Sequence, residues 1–188
     1  GTLFSMVYDI QGNLQNGLDP RKKYLIIDIG WGTTDLVEVS LSSGIGEKDT
    51  MNLAMSDYNR MLLELLDKKF QNRNIRNLYH NLYDFDYDIR QGTLNVRGGV
   101  IEKKDFFDEI RVVQNELAKK IYDRLNTNGW DFSSYHNIIL TGGGGMVLER
   151  AIKNTFPKEY RNDIILVDDP VLANAKGFYI FGRKKFQI

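Results

Sequence analysis

Two glycine-rich stretches hold the residue types that can do chemistry in this chain. The first is "DIGWGTTD", Asp28 to Asp35. Gly30 and Gly32 let backbone amides approach an anion closely, and the hydroxyls of Thr33 and Thr34 add donors, so the stretch can form a nest for phosphate oxygens. Asp28 ends an apolar run, where a carboxylate can hold a hydrated magnesium ion or orient an attacking water; either role needs it beside a phosphate. By itself the stretch reads equally well as a tight polar hairpin turn. The second is "LTGGGG", closing with Gly142, Gly143, Gly144 and Gly145 between an expected strand and an expected helix. Free amides and the positive end of a helix dipole there suit a nucleotide's phosphates or ribose edge. Four glycines in a row cost conformational entropy, which argues against a mere flexible connection. No Gly-Lys-Ser/Thr follows, so this is no P-loop. It lacks the GxGxxG spacing and the acidic residue about 20 positions on, so it is no dinucleotide fingerprint.

The elements that must position these residues are legible in outline. Tyr24 to Ile29 and Asp35 to Leu41 are apolar runs joined by "GWGTT", which predicts an antiparallel hairpin. Before them, Thr2 to Ile10 is helix-like and "QGNLQNGLDPRKK" is a polar turn. After them, "SSGIGEKD" is expected as a loop, with Asp49 or Thr50 capping a core helix that runs from Met51 to Phe70. Gln71 to Arg90 is expected to be irregular or short-helical, and "YDFDYD" within it to be a solvated loop before a metal or partner site. "TLNVRGGVIEK" predicts a small hairpin. Phe106, Ile110, Val113, Leu117, Ile121 and Leu125 form one apolar stripe, which predicts a helix over 103–125. His136 to Thr141 is expected as a buried strand, Gly142 to Gly145 as a turn, Met146 to Phe156 as a helix, "DIILVDD" as a strand, and Pro170 in the first turn of a closing helix. "GRKKFQI" is a basic tail or, less simply, a contact for a neighbouring subunit.

Composition narrows the function. In 188 residues, Lys plus Arg equals Asp plus Glu at 25 each, so no global field points to nucleic acid or to a membrane surface, and any phosphate binding must be local. With no cysteine there is no thiolate nucleophile or disulfide, and His80 and His136 have no metal-ligand spacing. No apolar run reaches the roughly 18 residues of a membrane span, so a cytoplasmic location is expected. The chain opens at Gly1 in what already reads as structure, which suggests an excerpt of a longer protein.

Both turns in one chain resemble the second lobe of the actin-like ATPase superfamily, which includes chaperone ATPases and sugar kinases. Asp28, Gly30, Gly32, Thr33 and Asp35 match its second phosphate motif, D-x-G-x-G-T-x-D, and Gly142, Gly143 and Gly144 match its adenosine motif. "TTDLVEVS" and "ANAKGFYIFG" look closest to ParM-type plasmid-segregation actins, while residues 51–101 match no pattern. The resemblance implies an α/β fold: a ribonuclease H-like mixed sheet flanked by helices, with a connecting helix over 1–10, a core lobe over 11–45 and 103–188, and a small inserted α+β subdomain over 46–102. It implies ATP or GTP with magnesium as cofactors. Asp28 would serve the metal or the hydrolytic water; Gly30, Gly32, Thr33 and Thr34 would contact the β- and γ-phosphates. Asp35 would support the loop or the metal shell, and Gly142 to Gly145 would pack against the nucleoside and the α-phosphate. Trp31 departs from the small or acidic residue usual at its position, and either covers the phosphates or faces the opposite lobe.

The function implied is that of a filament-forming ATPase in plasmid segregation. Its partners would be other subunits, the first lobe of the same protein and a DNA-bound adaptor, with no direct contact to nucleic acid or membrane. No second D-x-G loop occurs here, so this polypeptide alone is expected to hydrolyse ATP poorly or not at all. The alternatives are a sugar-type kinase lobe and a non-catalytic interaction module.

Overall fold

The computed structural model describes residues 1–13, 18–19, 21–40 and 42–186. In these residues the strands are β1 (Tyr24–Ile29), β2 (Thr34–Ser40), β3 (Gly44–Met51), β4 (Thr93–Val96), β5 (Gly99–Glu102), β6 (Asn137–Thr141) and β7 (Ile164–Leu166). The helices are α1 (Thr2–Val7), α2 (Met55–Lys69), α3 (Leu82–Gln91), α4 (Phe107–Thr127), α5 (Gly142–Thr155) and α6 (Ala173–Phe186). The main sheet has the order β3-β2-β1-β6-β7, and β4 pairs only with β5. β1 runs antiparallel to β2 and parallel to β6, and β6 runs parallel to β7, so the sheet is mixed.

Helices cover both faces of the sheet, which explains why β1 and β6 are almost continuously apolar rather than alternating. Leu25, Ile27, Ile29, Leu36, Ile138 and Leu140 belong to one core with residues of α2, α4 and α5. Tyr24, Ile26, Val39 and Ile139 pack on the other face against Leu3 and Val7 of α1 and Ala173 of α6. By strand alternation Asp28 shares this second face, at the last turn of β1. The stripe of α4 is realised as expected, with Ile110, Val113, Leu117, Ile121 and Leu125 buried, and the helix ends near Gly129 with φ of +78°.

Several expectations are corrected. "SSGIGEKD" is not a loop: it supplies most of β3, an edge strand whose side chains are exposed except near its end, and it pairs with β2 through a register shift between Val37 and Val39. Edge strands carry polar residues because one side meets water, and the strand is held by β2's backbone rather than by its own side chains. Asp49 and Thr50 therefore cap no helix, and the boundary expected at residue 46 falls inside the main sheet. α2 starts instead at Met55, where the Asp57 carboxylate accepts from the Ala54 amide at 3.0 Å. "YDFDYD" is helical, lying in α3, which is capped by Asn81 accepting from the amides of Tyr83 and Asp84 and closed by Gly92 in the left-handed region.

Gly142 to Gly145 are not a turn but the first turn of α5, which follows β6 without a connecting loop. Glycine costs about 1 kcal/mol per helical position, and close packing against the end of β1 offsets that cost at Gly142 and Gly144. Pro170 lies before α6 rather than in its first turn; its carbonyl accepts from the Gly142 amide at 3.0 Å and the Thr141 hydroxyl at 3.1 Å. Parts of "QGNLQNGLDPRKK" and "GRKKFQI", and Leu41, lie outside the described residues.

Candidate functional site

The connection between β1 and β2 is a four-residue turn closed by the Gly30 amide donating to the Thr33 carbonyl at 2.9 Å. Its carbonyls face the start of α2: Met55 donates to Gly30 at 3.2 Å and Ser56 to Trp31 at 2.8 Å. The amides of Trp31, Gly32 and Thr33, and the Thr33 hydroxyl, meet no acceptor among the described residues. A Cβ placed on Gly32 would touch nothing within 4 Å, and its φ is not in the left-handed region, so neither packing nor backbone strain requires a glycine there. The residue leaves open a space that a side chain would fill, beside unpaired donors.

Thr34 is different. It is fully buried and its hydroxyl donates to the Leu53 carbonyl at 2.7 Å, so it fixes the loop to the chain entering α2 and adds no donor to the nest. Trp31 stacks on Tyr83 of α3, with ring centroids 4.3 Å apart at 16°.

Asp28 stands opposite Asp35 across the hairpin. Its Oδ2 accepts from Asn174 Nδ2 at 2.6 Å, and Asp35 Oδ1 accepts from the Thr50 hydroxyl at 2.7 Å. Burial pushes the Asp28 carboxyl above its ordinary value; the Asn174 hydrogen bond opposes this and the neighbouring Asp35 adds to it. No cluster of three or more metal-ligating side chains occurs among the described residues. Two carboxylates beside a turn of unpaired amides have the chemistry that magnesium takes, since the ion keeps several waters and accepts one or two carboxylates together with phosphate oxygens.

The glycines of α5 divide by role. A Cβ on Gly142 would lie 2.5 Å from Asp28 Oδ1, and one on Gly144 would lie 2.8 Å from the Ile29 Cβ and 2.9 Å from its carbonyl oxygen. These two let the start of α5 abut the end of β1, and Gly142 also has a φ of +78°. Gly145 makes ordinary contact with Leu140 and Leu166 and is buried in packing. Gly143 has nothing within 4 Å of a Cβ, so like Gly32 it is glycine without a reason inside the chain. The fold thus brings Asp28, Asp35, Gly142 and Gly144 together at one corner, with the amides of residues 31–33 on the adjoining turn, and sets Thr34 and Gly145 into the interior. Asn174 was missed by the motif reading. It lies 146 residues from Asp28, and only its place in the ANAKG segment could have flagged it.

A family model described as the Alp7A C-terminal domain matches residues 23–168. The chain belongs to the Alp7A-like C-terminal domain family. Solved structures agree on the fold of this family's domain. The actin-like protein Alp7A superposes with a TM-score of 0.73 at 18% identity, over 99% of this chain and 52% of that one. The archaeal actin homologue Ta0583 gives 0.71 at 15%, over 98% and 54%, and has also been solved in complex with ADP. A ParM filament from Clostridium botulinum gives 0.66 at 22%, over 96% and 51%. The Alp7A-like chain described here therefore has the actin-like, ParM-type fold of a C-terminal lobe, and spans about half the length of these neighbours. No curated protein matches its sequence. No described helix is long and apolar enough to cross a membrane.

Proposed function

We propose that this domain supplies one wall of a magnesium–nucleotide site in a filament-forming, actin-like ATPase that segregates DNA. The observation carrying the reading is the row of unpaired amides at residues 31–33, open at Gly32 and adjoining the Asp28 corner. These amides bind β- and γ-phosphate oxygens, while the first turn of α5, open at Gly143, takes the α-phosphate or ribose edge at its positive end. Asp28, through the oxygen facing Gly142, and Asp35 hold the hydrated metal or orient water. Magnesium, when bound, neutralises charge on the phosphates. The family membership and the ADP complex of one structural neighbour support ATP or another nucleoside triphosphate as ligand. The filament state of another supports assembly with further copies.

Calorimetric titration of the chain with ADP, with and without magnesium, tests the reading. Binding that strengthens with the metal, with that gain lost in Asp28→Ala, supports it; no binding in either condition refutes it. Turnover is expected to be slow in this chain alone, because no second aspartate-glycine loop occurs in its sequence. In the whole protein, light scattering that rises on adding ATP reports assembly.

A further inference from the structure

The end of β1 and the crossing of the two helices on that face of the sheet are joined by one side chain. Asn174 Oδ1 accepts from the Thr2 amide at 3.0 Å and from the Thr2 hydroxyl at 2.8 Å, and its Nδ2 donates to Asp28 Oδ2 at 2.6 Å. A backbone amide can only donate, so the oxygen of Asn174 must face Thr2 and the nitrogen must face Asp28. α1 and α6 approach each other without intervening side chains: a Cβ on Gly1 would lie 2.5 Å from the Asn174 carbonyl oxygen and 2.8 Å from its Cα. Thr2 is 1% exposed, so its two donors have no water to turn to.

We propose that Asn174 is the positioning residue for Asp28, spending one carboxylate oxygen on the α1–α6 crossing and leaving the other toward Gly142 and the nucleotide corner. The three groups form one chain of hydrogen bonds from α1 through α6 to β1, so a change in how the helices cross breaks a bond at Thr2 or re-aims the carboxylate. This deepens the magnesium–nucleotide reading above and rests on it for the ligand, though not for the linkage itself.

Two readouts separate the possibilities. In the nucleotide-free chain near neutral pH, the carboxyl carbon resonance of Asp28 is followed in Thr2→Val, which removes the hydroxyl but touches Asp28 only through Asn174. A shifted resonance is expected; an unmoved one overturns the linkage. In the second readout, ADP affinity is measured with magnesium and with a chelator in Asn174→Ala, Asp28→Ala and the double variant. Loss of one charge-assisted hydrogen bond should cut the magnesium-dependent gain by about tenfold, with the chelator value changed less than about twofold and no further loss in the double variant. Equal loss in both conditions means Asn174 only holds the fold, and overturns its positioning role. If the unmodified chain binds no nucleotide, the magnesium–nucleotide reading fails, and the Asp28 resonance alone decides the linkage.

Discussion

Two neighbouring glycines in the first turn of α5 should respond to the same methyl group in opposite ways. In Gly143→Ala the new Cβ meets nothing within 4 Å, and the residue is not in the left-handed region. Restricting the unfolded chain then stabilises the fold by about 0.5–1 kcal/mol, raising Tm by roughly 1–4 °C for a domain of this size. In Gly144→Ala the Cβ would stand 2.8 Å from the Ile29 Cβ and 2.9 Å from the Ile29 carbonyl oxygen. Ile29 is fully buried and β-branched, so it cannot swing aside, and such overpacking costs about 1–3 kcal/mol. The order reverses for binding. If the space above Gly143 takes a ligand, a methyl there imposes about 1–3 kcal/mol of overpacking on the complex, a fall in affinity of about 5- to 150-fold. Urea denaturation and ADP calorimetry on the two variants measure both effects. A Gly143→Ala chain that is more stable and binds ADP as tightly as the original would refute the cradle. A Gly144→Ala chain as stable as Gly143→Ala would refute the packing argument for the glycine run.

Other outcomes follow from the same geometry. Because burial raises the Asp28 carboxyl, the folded state holds its proton more tightly than the unfolded chain, and the resulting stability is lost as pH rises from the ordinary carboxyl value of 3.8 through the raised one. Asp28→Asn escapes this loss, so its Tm should exceed that of the parent at neutral pH, and melting curves across acidic pH should show the gap closing toward pH 3.8; a less stable variant at neutral pH would contradict the sign. Thr34→Val leaves the Leu53 carbonyl unpaired and should cost about 1–2 kcal/mol in urea denaturation while leaving ADP affinity unchanged; weakened binding at unchanged stability would return Thr34 to the nest. Tyr83→Ala removes the ring stacked on Trp31, costs about 0.5–1.5 kcal/mol and should red-shift the emission of Trp31 while buried Trp130 stays constant. Identical spectra would mean that the stack does not persist in solution.

What could be read from the sequence follows from where the physical information sits. β1, β2 and α4 announce themselves because their own side chains carry the apolar pattern of the surfaces they bury, an unbroken run in β1 and a stripe at helical spacing in α4. β3 does not, since its pairing comes from β2's backbone and its side chains read as a polar loop. α3 buries only Phe85 and Ile89 among acidic and tyrosine residues, too narrow a stripe to separate a helix from a loop. The glycine run was visible as unusual, but its division into close-packing residues at Gly142 and Gly144 and an open one at Gly143 depends on how near Ile29 lies. Asp28 was legible as a motif residue; Asn174 was not, because a partner 146 residues away leaves no local pattern.

The attachment of the β1–β2 turn to α2 has a consequence for how the nest can move. A trans peptide is planar, with its C=O and N–H pointing in opposite directions. The plane between Gly30 and Trp31 is pinned through its oxygen by Met55, and the plane between Trp31 and Gly32 by Ser56. The N–H groups of Trp31 and Gly32 must then point away from the helix, and the two bonds that set them also polarise them. Neither peptide can flip its donor out of view without breaking a bond to α2. The turn is thus orientationally locked before any anion arrives, and reorganising those two dipoles is a cost that binding does not incur.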